Sequence, residues 1–250
     1  MNDPLTAPNI IELGSLVRNL RIHDVTPDLG SDTPMFFPNP APIVRSTAEH
    51  ATHGAAANIW EIHEHSGAHV DAPFHFDASG KTIDQLAADV LFMRPFKKFD
   101  LSPYDLQPGS AASLSQVGSA AKQEGFTLEA GDVAIVDFGY DKYLPGHADA
   151  REPQWWGRNQ PGLSDEVCEY FASTQVIAVA SDTAACDLAL ADGEMSAGSG
   201  HGHHFLPNGI LIVESLRGLG EVPATGLIVA LPLKLAGGTA SPLRVLLLTD

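Results

Sequence analysis

The 250-residue sequence predicts one α/β domain with more sheet than helix. Short apolar runs rich in β-branched residues recur between turn residues, at lengths that suit buried strands and not helices. Helix-start signals fall between those runs. No composition shift, internal repeat or low-complexity tract divides the chain, so residues 1–250 read as a single domain.

In chain order, the first strand candidate is "NIWEIHEH" (58–65), where apolar and polar residues nearly alternate. Thr82 and Gln85 in "TIDQLAAD" form a capping-box pattern and predict a helix start. "RPFKKFDLSPYDLQPGS" (94–110) reads as loop. Ser113 and Gln116 repeat the capping box at the head of "SLSQVGSAAKQEG", and Gly125 is a fitting C-terminal stop. "VAIVDF" (133–138) reads as a buried strand, and "LPGHADAREPQWWGRNQPG" (144–162) as loop. Ser164 opens a helix, "SDEVCEYFAST", whose first turn carries Asp165 and Glu166, as the helix dipole favours. "VIAVAS" (176–181), "ILIVES" (210–215), "LIVALP" (227–232) and "RVLLLT" (244–249) complete the strands.

Bulk chemistry narrows the function. Net charge is −17, from 14 Lys and Arg against 31 Asp and Glu. Such a surface repels phosphate backbones, which excludes nucleic acid as a natural partner. Cys168 and Cys186 are the two cysteines, neither in a CxxC, so no disulfide framework or redox pair is expected. No run approaches the ~20 apolar residues of a membrane helix. The N-terminus lacks a basic segment followed by a long apolar one. A cytoplasmic protein with no membrane partner is expected.

The densest chemistry lies in "HEHSGAHVDAPFHF" (63–76), which holds four of the chain's 11 histidines and an aspartate. A core segment would need a hydrogen-bond partner for every buried imidazole. A metal site uses them. On a strand leading into a turn, His65, His69 and Asp71 stand at i, i+4 and i+6, so all three share one face. Two imidazoles and a carboxylate suit Zn²⁺ or Mn²⁺, and the two oxygens of Asp71 could bridge a pair of ions. Pro73 bends the chain before His75, which is placed beside the metal as a proton-transfer group. His63 shares the alternation and is a candidate pocket residue.

A second cluster is "GSGHGHHFLPNGILIVES" (198–215). Glu214 interrupts an apolar strand, where a carboxylate is costly unless paired or metal-bound. His201, His203 and His204 precede it in a Gly-rich loop. Two incomplete clusters could assemble one centre of one or two ions. Phe36, Phe37 and Trp60 are candidate pocket walls, as is Trp155–Trp156. No G-x-S-x-G elbow or comparable Cys context supports nucleophilic catalysis.

These residues resemble the cyclase-like metal-dependent hydrolase family, of the bacterial kynurenine formamidase and isatin hydrolase type. The family signature HxGTHxDxPxH reads here His65-Ser66-Gly67-Ala68-His69-Val70-Asp71-Ala72-Pro73-Phe74-His75, with Ala68 replacing the usual Thr. "HDVTPDLGSDTPMFFPNPAP", "GDVAIVDFGYDKY", "ASDTAACDLA" and "LPLKLAGGTASPLRVLLL" resemble further family segments, with Asp137 where Thr is usual and Tyr140 for Trp. The resemblance implies a swivelling β/β/α fold with mixed sheet and few helices. It implies hydrolysis of an amide, lactam or lactone of a small molecule by metal-activated water. The implied ligands are His65, His69, Asp71 and Glu214, with His75 as proton-transfer group. The family's later ligand His precedes the Glu by twelve residues, which falls on Gly202; His203 is the nearest match, with His201 and His204 as rivals. A homodimer or homotetramer is expected. The rival functions are a cyclase running the ring chemistry in reverse and a non-catalytic metal binder.

Overall fold

A computed structural model describes residues 10–191, 194–195 and 198–250. The strands are β1 (Arg21–Asp24), β2 (Ile43–Ala48), β3 (Ala57–Glu61), β4 (His69–Asp71), β5 (Phe92–Asp100), β6 (Ala111–Ala112), β7 (Val133–Asp137) and β8 (Gly162–Leu163). They continue as β9 (Ala178–Ser181), β10 (Leu190–Ala191), β11 (Glu194–Met195), β12 (Leu211–Glu214), β13 (Thr225–Ala230), β14 (Ala240–Pro242) and β15 (Val245–Thr249). The helices are α1 (Ile10–Asn19), α2 (His50–His53), α3 (Leu114–Glu124), α4 (Pro153–Trp156) and α5 (Asp165–Ser173).

Nine strands form one mixed sheet in the order β1-β15-β13-β5-β7-β9-β12-β4-β14. The run β5-β7-β9-β12 is parallel, and the pairings outside it are antiparallel. Within that run β7, β9 and β12 are buried on both faces, which is why those three strands read as continuous apolar runs. Within β7 the alternation is still visible. Ala134 and Val136 face one core, with Val117 of α3 and Val167 and Phe171 of α5. Val133 and Ile135 face the other. Among the described residues no α-helix contributes to that second core. Instead the sheet curls, so that Val70 of β4 and Leu247 of β15, with five strands between them in the order, share one cluster. Each large side chain buried outright, such as Phe96 or Phe171, contributes about 1.5–3 kcal/mol.

Helices α3 and α5 form where the sequence places them, and α3 carries its full capping box, whereas Ser164 makes no side-chain cap bond at the head of α5. Ser113 Oγ accepts from Gln116 N, Gln116 Oε1 accepts from Ser113 N, and Gly125 ends α3 at φ 72°. The five sequence-expected apolar strands appear as β7, β9, β12, β13 and β15.

Three local expectations are corrected. Residues 94–100 are not loop but the end of β5, a central strand. Pro95 is tolerated because pairing with β7 begins only at Phe96, so its missing N–H costs nothing on that side. The Thr82–Gln85 capping box is real but closes a single turn, Ile83–Gln85; Leu86 is already extended. Ile83 N donates to Gly238 O and Gly237 N donates to Asp84 Oδ1, so tertiary contacts hold that turn in place of a helix. The strand through His65 stops at Glu61, and the chain turns at Glu64–His65 before β4. β2 and β3 pair only with each other, as an exposed hairpin. No described helix is long and apolar enough to cross a membrane.

Candidate metal centre

The site forms at the carboxyl end of the parallel strands, where side chains leave the sheet into a crevice. Glu214 is the last residue of β12 and stands directly opposite His69, the first residue of β4. Cross-strand partners share a face, which sets His69 Nε2 at 3.3 Å from Glu214 Oε2. Asp71, two residues along β4, lies on that same face, with Oδ1 at 3.4 Å from His69 Nε2.

His65 arrives by a bend instead of along a strand. Gly67 takes φ 57°, a conformation glycine adopts freely, and folds residues 64–68 back over β4. His65 Nδ1 then lies 2.8 Å from Asp71 Oδ1. The fifth residue comes from the wide helical turn Gly200–His204. His201 Nε2 is 3.2 Å from Glu214 Oε1 and 3.5 Å from Asp71 Oδ2. His65, His69, Asp71, His201 and Glu214 are all buried.

The hydrogen bonds on the outer side of each ring decide which nitrogen faces inward. His69 Nδ1 lies 2.8 Å from Gly67 O and must donate to it. Thr239 gives its hydroxyl proton to Glu64 Oε1 at 2.6 Å, so His65 Nε2, 3.0 Å away, donates to Thr239 Oγ1. His201 Nδ1 donates to Asp187 Oδ1 at 2.7 Å, and His201 N donates to Asp187 Oδ2 at 2.8 Å. Each ring therefore spends its one N–H outward and aims a lone pair at the carboxylates. Lone pairs facing carboxylate oxygens repel. Consistent with this, His69 Nε2 and both oxygens of Asp71 are buried without a hydrogen-bond partner.

A divalent cation resolves the conflict, and the spacing fits one. Ligand atoms about 2.1 Å from a shared ion lie about 3.0 Å apart in an octahedron and about 3.4 Å apart in a tetrahedron. The contacts here run from 2.8 to 3.5 Å. Three imidazoles and two carboxylates, without a thiolate, form an N/O set suited to Zn²⁺ or Mn²⁺. Without a cation, protons would have to supply the positive charge. Burial alone would lower the His69 pKa, yet Asp71 and Glu214 lift it to about 10. Burial likewise opposes the rise at His201, but Asp187, Asp71 and Glu214 drive it well above the usual imidazole value.

His203 is where the sequence expectation and the structure part. It is exposed, and the inward position belongs to His201. Residues two apart on a helical turn point to opposite sides, so counting back along the chain selects the outward histidine. His204 pairs with Asp165 at 2.9 Å at the surface.

The centre opens on a cavity of about 480 Å³. His75 borders it, with its ring centroid 4.2 Å from that of His65 and 6.4 Å from that of His201. Its ring makes no hydrogen bond to a described residue. Burial, together with the neighbouring imidazoles, drops its pKa to about 4 against the pull of Asp71 and Glu214, so the ring is neutral near pH 7. His63 also lines the cavity, and its Nδ1 accepts from His65 N, which leaves Nε2–H as its free donor. Phe37 and Trp60, expected as pocket walls, are not among the lining residues. The Phe37 ring lies 3.5 Å from the Arg158 guanidinium. Trp60 stands exposed on the β2–β3 hairpin. Phe36 and Phe76 line the cavity instead. Trp155 lies against Tyr143, and Trp156 is buried in the core.

Two positioning residues escaped sequence reasoning. Asp187 is buried behind His201, and a Cβ on Gly198 or Gly200 would come within 2.2 or 2.8 Å of its carboxylate. The glycines of "GSG" thus make room for that carboxylate. Gln160 Oε1 accepts from Ala184 N and Ala185 N and fixes that cavity wall. The available signal for Asp187 was a lone acid among small apolar residues in "TAACDLA".

Residues 23–188 match the cyclase family, described as "Putative cyclase". The isatin hydrolase of Roseibium aggregatum is 26% identical over 242 residues, covering 94% of this chain and 89% of that protein. The kynurenine formamidase of Bordetella avium is 27% identical over 230 residues, covering 91% of this chain and 97% of its own. A crystal structure of an isatin hydrolase bound to the product analogue thioisatinate superposes with a TM-score of 0.82 at 24% identity, over 96% of this chain and 97% of that one. A potential metal-dependent hydrolase with cyclase activity superposes with a TM-score of 0.69 at 21% identity, over 92% of this chain and 98% of that one. The family match spans more than half of the chain, and the chain belongs to the cyclase family.

Proposed function

We propose that this chain is a metal-dependent hydrolase that cleaves an amide, lactam or lactone of a small molecule. One observation carries the reading. Three histidines commit their N–H groups outward and converge, lone pairs inward, on two buried carboxylates beside a cavity. The names and titles of the relatives support the same class of chemistry. His65 through Nδ1, His69 and His201 through Nε2, and the carboxylates of Asp71 and Glu214 would hold one Zn²⁺ or Mn²⁺.

Such an ion, when bound, supplies a Lewis acid for the substrate carbonyl and a water of lowered pKa. The chain supplies the rest. His75, neutral and free of hydrogen bonds, accepts a proton on the cavity side and passes it to the leaving nitrogen or oxygen. His63 donates through Nε2–H to a substrate acceptor. Asp187, Thr239 and Gly67 O hold the three ligand rings in their tautomers. Phe36 and Phe76 shelter the reacting carbonyl from bulk water. A proton-transfer group at the cavity rim argues against a pure metal binder, and product analysis separates hydrolysis from ring closure.

We further propose a cytoplasmic homodimer or homotetramer. Ile43, Val44, Ile59 and Trp60 are 40–51% exposed on the β2–β3 hairpin, Val44 with Trp60 on one face and Ile43 with Ile59 on the other, apolar surface that a second copy would cover. The functional test is turnover of isatin, N-formylkynurenine and simple lactones, with and without added Zn²⁺ or Mn²⁺. Hydrolysis of at least one of them that requires the metal supports the reading, and no hydrolysis of any with either metal refutes it.

A further inference from the structure

From the charges around the cavity we infer that the site takes electrically neutral substrates and disfavours those carrying a carboxylate remote from the scissile bond. This deepens the hydrolase reading and rests on it. Among the described residues, no Lys or Arg lines the cavity. The undescribed stretches hide none: residues 1–9 read "MNDPLTAPN", and residues 192–193 and 196–197 read "DG" and "SA". Arg158 is exposed, its guanidinium over the ring of Phe37, which does not line the cavity.

Negative charge is abundant by contrast. Glu64, Asp71 and Glu214 are lining residues, and Asp187 stands directly behind His201. With a metal bound, His65, His69 and His201 turn their lone pairs inward as its ligands, and His63 accepts at Nδ1 from His65 N. Four carboxylates against one divalent ion leave a net charge of about −2, and a second ion would only reach zero. A substrate carboxylate remote from the scissile bond would enter this field without a Lys or Arg to meet it, since none lines the cavity among the described residues.

A neutral substrate meets Phe36 and Phe76, the methyls of Ala184, Ala185 and Ala189, and uncharged donors such as His63. The reaction then changes the sign of the interaction. Water adds to the carbonyl carbon and the C–N or C–O bond breaks. The leaving nitrogen or oxygen takes a proton, and at neutral pH the new acid ionises and releases another. The product is an anion in an anionic cavity, so repulsion assists its release.

The test uses the metal-loaded full chain and a matched pair, formanilide and 4-formamidobenzoate. They share the scissile formamide and differ by one remote carboxylate. The expected kcat/KM for formanilide is about tenfold or more higher at about 20 mM salt, and the gap narrows toward about 0.5 M as screening grows. Asn39→Lys, which places a cation on the cavity wall, should narrow it further at low salt. Equal or faster turnover of 4-formamidobenzoate at low salt overturns the inference, as does a gap indifferent to both salt and Asn39→Lys. Calorimetry with the inert pair acetophenone and 4-acetylbenzoate keeps the two levels separate. If neither formamide is cleaved, the hydrolase reading fails for this bond, while tighter binding of the neutral ketone still supports charge exclusion and tighter binding of the carboxylate refutes it.

Discussion

Replacing Asp187 by Asn tests how His201 is held without touching any inferred ligand. The wild-type carboxylate takes two hydrogen bonds from one residue, from His201 Nδ1 at 2.7 Å and from His201 N at 2.8 Å. Asparagine keeps one acceptor oxygen and turns an NH₂ toward the other donor. If the backbone bond survives, the ring either loses its partner or flips its proton to Nε2, the nitrogen that faces Glu214 and Asp71. A hydrogen bond to a charged group contributes about 1.5–3 kcal/mol. At about 1.4 kcal/mol per decade, metal affinity should fall about 10- to 150-fold, which overlaps the roughly 10- to 100-fold typical for the outer partner of a ligating histidine. The assay is competition for Zn²⁺ against a chromogenic chelator, on protein whose circular dichroism matches wild type at the assay temperature. A folded Asp187→Asn protein with unchanged metal Kd would refute the account of His201.

Other substitutions separate roles within the site. His75→Ala should keep its metal and lose about 10²–10⁴-fold in kcat; parallel loss of metal would make His75 a ligand. His203→Ala should leave metal content and kcat unchanged, whereas His201→Ala should lose both, as measured by metal analysis beside kinetics. The metal-free protein should have a distinctive pH profile. The pKa of His69 is raised when folded, to about 10, so its stabilising contribution is complete below the unfolded value of about 6.5 and is lost as pH rises toward 10. Melting temperature of the stripped protein should therefore fall over that window, and bound metal, which replaces the proton, should remove the dependence. A metal-free melting curve flat from pH 6.5 to 10 contradicts the inferred charge balance.

The parts of this structure legible in the sequence are those governed by short-range rules. β7, β9 and β12 announce themselves because burial on both faces demands uninterrupted apolar runs, and β13 and β15 because short apolar, β-branched runs lie between turn residues. Ser113 and Gly125 fix α3 through local hydrogen bonding. His69 and Asp71 were legible as a pair because they do share one face of β4. What stayed hidden depends on distant chain. Pro95 looks like a strand breaker until β7 is seen to begin pairing one residue later. The capping box at Thr82 looks like a helix until Gly237 and Gly238 are seen to hold it as one turn. Choosing His201 over His203 needs the helical turn at 200–204 and the carboxylate of Asp187, which reaches it from a separate loop. Trp60 looked like a pocket wall by residue type alone, but the hairpin that carries it projects from the sheet.

The central claim is that one centre built from His65, His69, Asp71, His201 and Glu214 binds the divalent ion. Anomalous X-ray scattering from crystals loaded with Mn²⁺, with data at the metal edge, locates that ion directly. The predicted result is a peak within about 2.0–2.4 Å of His65 Nδ1, His69 Nε2, His201 Nε2 and an oxygen of each of Asp71 and Glu214. A peak coordinated by His203, or one more than about 3 Å from His69 Nε2 and Asp71, would contradict it.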